Sequence, residues 1–359
     1  MIYRNFLFKS LAITFILLYL VAGLNFLVDP LQFYRQAALY RPAFSIEQRY
    51  QNPGLVRNYS YDTIIIGSSM TENFVPAYVN KKLGVKSLKL SMSGASTREE
   101  NLIVQLALNT GKVKNVLWGL DYESLKGLND RVTNEDVSFP YYLYDQNDYN
   151  DLPYLLSIST LKSSAMALRN NYQQLPIANP DLDYLNNWNS SSKFGRDGLM
   201  KMWQDEQTKK KTGVKIYDKM DGSFAAMQAS FDQNILPLIK DNPEVNFVIY
   251  YPPYSILRHR SIFEEDPQLI YSELQMKRYI YTQLNNYTNI RIYDFQGDKS
   301  LNTRLDKYKD YSHHSQEFNE IIIDSIARKD KRYLVTPWNM ETMLYDLKTQ
   351  VETIDIGKL

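Results

Sequence analysis

Hydrophobic positions along the chain fall into three kinds of stretch. Residues 10–28, SLAITFILLYLVAGLNFLV, form one uncharged apolar run, long enough to cross a bilayer as a helix. Beyond residue 60 come short continuous apolar runs, each ending in a turn: YDTIIIGSS, VKSLKLSMSG, VKNVLWGLDY, VNFVIYYPP and NIRIYDF. Runs of that length, rich in Val, Ile and aromatic residues, read as buried strands. Between them the period becomes helical, first around TREENLIVQLALNTG. It does so again in SFAAMQASFDQNILPLI, where Phe224, Met227, Phe231, Ile235 and Leu238 recur at the spacing of core contacts. Strands that alternate with helices predict an α/β domain with a parallel sheet covered on both faces.

The same rhythm sets the expected organisation: an N-terminus over 1–9, an anchor over 10–28, a juxtamembrane segment rich in Tyr, Arg and Gln over 29–59, a domain over 60–335 and a tail over 336–359. Within the domain, residues 124–222 break the alternation. They are rich in Tyr, Asn and Ser (FPYYLYDQNDYNDLPYLL, NNWNSSSKFG), carry the run Lys209, Lys210, Lys211, and show no strand set of their own. They are expected to form one large insertion. The tail, WNMETMLYDLKTQVETIDIGKL, reads as an amphipathic helix that packs on the domain or meets a partner. Arg4 and Lys9 precede the apolar run and Asp29-Pro30 follows it. By the positive-inside rule the N-terminus is cytoplasmic and the bulk of the chain extracytoplasmic, in a single-pass cell-membrane protein. A cleaved signal peptide is the rival reading, but the run is long for an h-region and no small-x-small site ends it.

Charge and composition narrow the classes further. A formal net charge of +1 over 359 residues supplies no attraction for nucleic acid. The absence of cysteine removes disulfides, thiol nucleophiles, thiolate metal sites and a lipoprotein anchor together, which suits a bacterial extracytoplasmic protein. The sequons NYS, NSS and NYT are then chance matches to a degenerate pattern. The 29 tyrosines fit either sugar-stacking surfaces or a Tyr-rich core.

In a parallel sheet of this kind ligands bind beyond the carboxyl ends of the strands, so chemistry is sought in the turns. The first turn is Gly67-Ser68-Ser69-Met70-Thr71. A serine there is lifted to the sheet's edge or merely caps the next helix. The second, SMSGAS, places Gly94 where the backbone takes positive φ or approaches something closely. The third, WGLDYES, carries Asp121 as a helix cap or a functional carboxylate. Two of only three histidines adjoin in YKDYSHHSQEF. Asp310 and His313 are spaced so that a loop lets the carboxylate accept the Nδ1 proton and frees Nε2 as a base. His314 reads as a polar residue at a helix start. Ser315 is expected to cap a helix whose Phe318, Ile322 and Ile326 face the core. No metal site is expected, because only His259 is available besides the pair and no acidic spacing completes a set.

The order of these turns resembles the SGNH/GDSL hydrolase superfamily: Gly-x-Ser after the first strand, Gly after the second, Gly-x-Asp after the third and Asp-x-x-His before the last helix. The resemblance covers about residues 60 to 125 and 240 to 328. It implies a flavodoxin-like three-layer sandwich, preceded here by the transmembrane helix. It also implies Ser69 as nucleophile, His313 as general base and Asp310 as its orienting carboxylate, with no cofactor. The backbone N–H groups of Ser69 and Gly94 would form the oxyanion hole. The family's third donor is an asparagine side chain, and here the Asp121 region stands near that place; Ser68 likewise replaces the family's Asp beside the nucleophile. With the single anchor, GSSM and DYSHHS look closest to the membrane-anchored branch that works beside membrane-bound O-acyltransferases, as in alginate acetylation and lipoteichoic acid D-alanylation.

The resulting expectation is an extracytoplasmic O-acyltransferase, an O-acetyltransferase above all. It would pass an acyl group from an integral-membrane O-acyltransferase partner, through Ser69, to hydroxyls of a surface polysaccharide. A carbohydrate esterase with the same triad, and a non-catalytic scaffold of a polysaccharide-modifying complex, are the alternatives.

Overall fold

The computed structural model describes residues 2–132, 139–177, 179–215 and 221–359. The chain divides into two compact units, Met1–Ser60 with Ser138–Leu185 and Tyr61–Val137 with Asn186–Leu359. Residues 124–222 are therefore not one insertion, although their stretches 133–138, 178 and 216–220 lie outside the described residues. The physical reason is where residues 138–185 find partners. The Tyr154 hydroxyl donates to Asp29 Oδ1 at 2.8 Å, Tyr34 donates to Asp151 at 3.0 Å, and the Tyr144 hydroxyl donates to the Arg49 carbonyl at 2.8 Å. Those bonds join the segment to the N-terminal residues and not to the sheet.

In the first unit, α1 (Ile2–Val28) contains a stretch, Tyr3–Val28, long and apolar enough to cross a membrane. It stops at Asp29, whose φ of 51° turns the chain out of the helix. The Asp29 carboxylate then collects the N–H groups of Phe33, Tyr34 and Arg35 at 2.9, 2.7 and 3.0 Å. A second helix, α2 (Gln48–Asn58), buries Leu55 and Val56. Two further helices, Leu152–Leu155 and Ile158–Tyr172, pack on α1.

The second unit is built on β1 (Thr63–Gly67), α3 (Pro76–Leu83), β2 (Ser87–Lys89), α4 (Thr97–Leu108), β3 (Asn115–Gly119), β4 (Asn246–Tyr251) and β5 (Ile290–Asp294). All five expected strands form, and they make one parallel sheet in the order β2-β1-β3-β4-β5. Every residue of β1 is buried, as a central strand covered on both faces must be. Right-handed crossovers put the helix leaving β1 on one face and the helices returning through β2, β3 and β4 on the other. The packing agrees: α3 meets the Gln316–Arg328 helix, whereas α4 meets the Phe224–Asn234 helix, which in turn meets Pro267–Leu284. Phe318, Ile322 and Ile326 are buried on the first face with Ile65 and Leu117, as their spacing predicts. Met227, Phe231, Ile235 and Leu238 are likewise buried. The tail forms a helix, Met340–Thr353, whose Leu344, Leu347 and Val351 pack against Ile256, Ile262, Ile270 and Leu274.

The strand order reverses between β1 and β3, which leaves a crevice beyond their carboxyl ends. Both strands finish in glycine, and Gly67 pairs with Gly119 across the register. A Cβ on Gly67, at φ +147°, would sit 2.7 Å from the Gly119 carbonyl oxygen and 2.7 Å from Thr71 Cγ2. The first turn can fold back over the sheet's end only because that space is empty.

Candidate active site

The site starts with Ser68 and Ser69, which leave β1 in different directions. Ser68 is extended and buried, and caps the short 3-10 turn Ser69–Thr71. Its hydroxyl donates to Asp121 Oδ2 at 2.8 Å. Ser69 is half-exposed, and its Oγ lies 2.7 Å from His313 Nε2. The imidazole's other nitrogen, Nδ1, lies 2.8 Å from Asp310 Oδ2 and 2.9 Å from Oδ1. Asp310 also accepts the backbone N–H groups of Ser312 at 3.0 Å and His313 at 2.8 Å. These bonds close the loop that the two-residue spacing allows. Burial pushes the Asp310 carboxyl up, but the hydrogen bond and charge of His313 and the two backbone donors outweigh it and hold it below the usual carboxylate value. An ionised Asp310 fixes the Nδ1–H tautomer, so Nε2 presents its lone pair to the Ser69 hydroxyl. The structure thus brings together Ser69, His313 and Asp310, from opposite ends of the unit.

The SMSG turn reaches the same edge because the backbone runs on past β2 along β1, with Leu90 N–H donating to Ile65 O at 2.9 Å and Met92 N–H to Gly67 O at 3.0 Å. Thr71 Oγ1 lies 2.9 Å from Ser68 O and 2.6 Å from Ser91 Oγ, tying the first turn to the second. Gly94 takes φ 62°, the left-handed conformation its position in the turn predicts, and is exposed.

Asp121 requires a correction. Its carboxylate is engaged as an acceptor on both oxygens, by Ser68 on Oδ2 and by the Glu123 N–H at 3.0 Å and the Tyr254 hydroxyl on Oδ1. Burial and the Asp121 charge push the Tyr254 phenol up, which keeps its donating proton in place. Asp121 therefore braces the turn from behind and supplies no donor to an oxyanion. Behind it the bracing continues: the Arg258 guanidinium lies 4.3 Å over the Tyr254 ring and binds both oxygens of Glu273, at 2.8 and 3.0 Å, deep in the unit.

The other histidines stand apart from this chemistry. His314 is buried, with Nδ1 donating to the Ser315 carbonyl at 3.2 Å and its ring against Tyr308 and Phe318. Burial pulls its pKa down to about 4. His259 is buried beside Tyr254, and burial pulls its imidazole down as well. Among the described residues no group of three metal-ligating side chains occurs.

One residue was not legible as part of the site. Trp188, from the polar run NNWN, donates its Nε1–H to the Ser69 carbonyl at 3.4 Å and sets its ring edge-on to His313, 5.5 Å between centroids. Its backbone N–H donates to Asn73 Oδ1 at 3.0 Å, and the Lys309 ammonium sits 3.8 Å over the indole. The next residue, Asn189, accepts the Gln316 N–H at 2.8 Å. Asn189 therefore does the capping expected of Ser315, whose own hydroxyl makes no cap bond. The one signal available was a large aromatic residue isolated in a polar stretch.

Compared with known proteins, the chain matches no family model and no curated sequence.

Proposed function

We propose that this protein is a serine acyltransferase of the SGNH kind, passing an acyl group, acetyl above all, to a hydroxyl of a surface polysaccharide. The observation that carries the reading is the hydrogen-bonded line Ser69 Oγ–His313 Nε2 and His313 Nδ1–Asp310, at 2.7 and 2.8 Å. A half-exposed hydroxyl, an imidazole with its tautomer set and a depressed carboxyl are what nucleophilic acyl transfer needs. The strand order 2-1-3-4-5 supports a flavodoxin-like frame, in which that line sits beyond the strand ends.

In the proposed mechanism Ser69 Oγ attacks the donor's acyl carbon while His313 Nε2 takes the hydroxyl proton. Backbone N–H groups of Ser69 and Gly94 face the oxyanion. The leaving group departs with the proton from His313, and Ser69 carries the acyl ester. An acceptor hydroxyl then gives its proton to His313 and attacks the ester, and Ser69 is restored by taking that proton back. Trp188 favours transfer over hydrolysis, because an indole against Ser69 and His313 removes one approach for water. α1 would hold this chemistry at the outer surface of the cell membrane, beside an integral-membrane acyl donor, raising its effective concentration.

The test is the ester-linked acetyl content of surface polysaccharide in cells carrying the native protein or Ser69→Ala at matched levels. Transfer predicts a fall. A rise would make the protein a deacetylating esterase, and no change would leave it a scaffold for acetyl chemistry.

A further inference from the structure

In the first unit, the Ile158–Tyr172 helix is built inside out. The residues it turns toward the protein are small and polar: Ser164 is 0% exposed and Thr160 8%. Its apolar residues Ile158, Leu161, Ala165, Leu168 and Tyr172 recur at alternating steps of three and four, which lines them up on one stripe along a flank of the helix, exposed at Ile158, Ala165 and Tyr172 and half-buried at Leu161 and Leu168. Ile158 is 70% exposed and Tyr172 88%. Lys162 and Arg169 come next round the helix, directly beside the stripe. A helix surrounded by water shows the opposite arrangement.

The depth at which this helix sits is fixed by Asn25. The uncharged run 10–28 rises about 28 Å at 1.5 Å per residue, close to the thickness of a hydrocarbon core. Asn25 belongs to that run, about 4 to 5 Å short of its end. It is nonetheless fully buried, donating to the Leu155 carbonyl at 2.8 Å and accepting from the Ser164 hydroxyl at 2.9 Å. Its partners are Ser164, midway along the Ile158–Tyr172 helix, and Leu155, at the end of the Leu152–Leu155 helix before it. The helix therefore meets α1 within the last turns of the apolar run. On the same end of α1, Phe26 and Leu27 stay exposed, and the Arg35 guanidinium lies 4.3 Å over the Phe26 ring while donating to the Phe26 carbonyl at 2.6 Å.

We propose that the Ile158–Tyr172 helix is a second membrane contact, lying in the lipid interface beside the exit of α1. Its Ile158–Leu161–Ala165–Leu168–Tyr172 stripe sits against acyl chains, and Lys162, Arg169 and Arg35 reach the lipid phosphates. The occupant of the stripe is lipid because the helix packs on α1 near the end of its apolar run and the stripe is flanked by cations at the level where headgroups begin. The inference rests on α1 crossing a bilayer and is independent of the chemistry at Ser69.

The chain has no cysteine, so single-cysteine labels report one position each. The full chain, reconstituted in phosphatidylethanolamine–phosphatidylglycerol nanodiscs with doxyl-labelled lipid, carries bimane at Ile158→Cys, Leu161→Cys or Leu168→Cys. Ser163→Cys, on another side of the helix, and Leu17→Cys, within α1, serve as references. The expected result is a roughly twofold loss of emission at 158, 161 and 168, as shallow burial gives, a strong loss at 17 and little at 163. Quenching at 17 with none above the level of 163 at the three stripe positions overturns the proposal. So does a stripe unquenched in lipid alone but shielded from aqueous iodide in native membranes, which would make an integral-membrane protein the occupant. No quenching at 17 removes the span itself, and the proposal with it.

Discussion

The two units place their polar groups on opposite principles. The sheet unit hides apolar side chains on both faces and pairs charges inside, as Arg258 does with Glu273 and Lys277 with Asp294 at 2.6 Å. It keeps the half-exposed Ser69–His313 contact at the strand ends. The N-terminal unit joins its apolar helix to Ile158–Tyr172 through small polar groups, Asn25 and Ser164, and leaves Ile158 and Tyr172 exposed. With the proposed function and the proposed membrane contact, each arrangement would suit a different surrounding: water for the first, a lipid boundary for the second. The lesson is that burial has to be judged against the solvent each unit meets.

The sharpest way to break the comparison is Ser69→Ala or His313→Ala. If the sheet unit alone carries the chemistry, either change lowers acyl transfer by the purified full chain about 10⁴- to 10⁶-fold, with the melting temperature unmoved. A retained rate would end the assignment. Next in size is Arg258→Ala, which leaves Glu273 buried without its bidentate partner and is expected to cost about 3 to 5 kcal/mol in urea unfolding. A loss under about 1 kcal/mol, the range of an exposed pair, would show that the pair is not buried in solution.

His314 sharpens the contrast through acid. Its folded pKa of about 4 lies below the value of 6.5 for an unburied imidazole. The unfolded chain therefore binds more protons between those two values. The stability this residue contributes is complete above pH 6.5 and is lost as pH falls through 4, on the order of 3 kcal/mol in all. Unfolding free energy measured across that window should slope downward toward acid, and His314→Asn should flatten the slope. An unchanged slope would place the neutral imidazole elsewhere. Smaller still, Asn189→Ala removes a cap and should cost about 1 kcal/mol. Its loss in the sheet unit can be set against Asn25→Ala in the N-terminal unit. If α1 spans a bilayer, side-chain hydrogen bonds at that depth would average only about 0.6 kcal/mol. Equal losses in detergent and lipid at Asn25 would argue that its surroundings are those of an ordinary interior.

How much of this was legible depended on whether the cause was local. Ile64, Ile65 and Ile66 announce a strand buried on both faces because nothing polar interrupts them, and the other four strands were readable as short, mostly apolar stretches ending in a turn. Asp310 and His313 were legible because one loop holds both, and Ser69 because a glycine ends its strand. Trp188 was not, since what brings it to His313 is a set of amide hydrogen bonds to Asn73 and Gln316, more than a hundred residues away in the chain on either side. The Asp121 region stood near the family's third donor only by its place in the third turn, and the residues that occupy the carboxylate, Ser68 and Tyr254, meet it only in three dimensions. The polarity of Ile158–Tyr172 was equally hidden: a period of 3.6 shows that a helix has two faces and not which of them meets the protein.

The first unit is assembled from two pieces of chain separated by residues 61–137. During synthesis Asn25 therefore emerges long before Leu155 and Ser164 exist to satisfy it. At roughly 5 to 20 residues per second, the wait is on the order of ten seconds. For that interval a polar side chain within the apolar run of α1 lacks its native partners, and the order of translation makes the end of α1 the last part of the unit to mature.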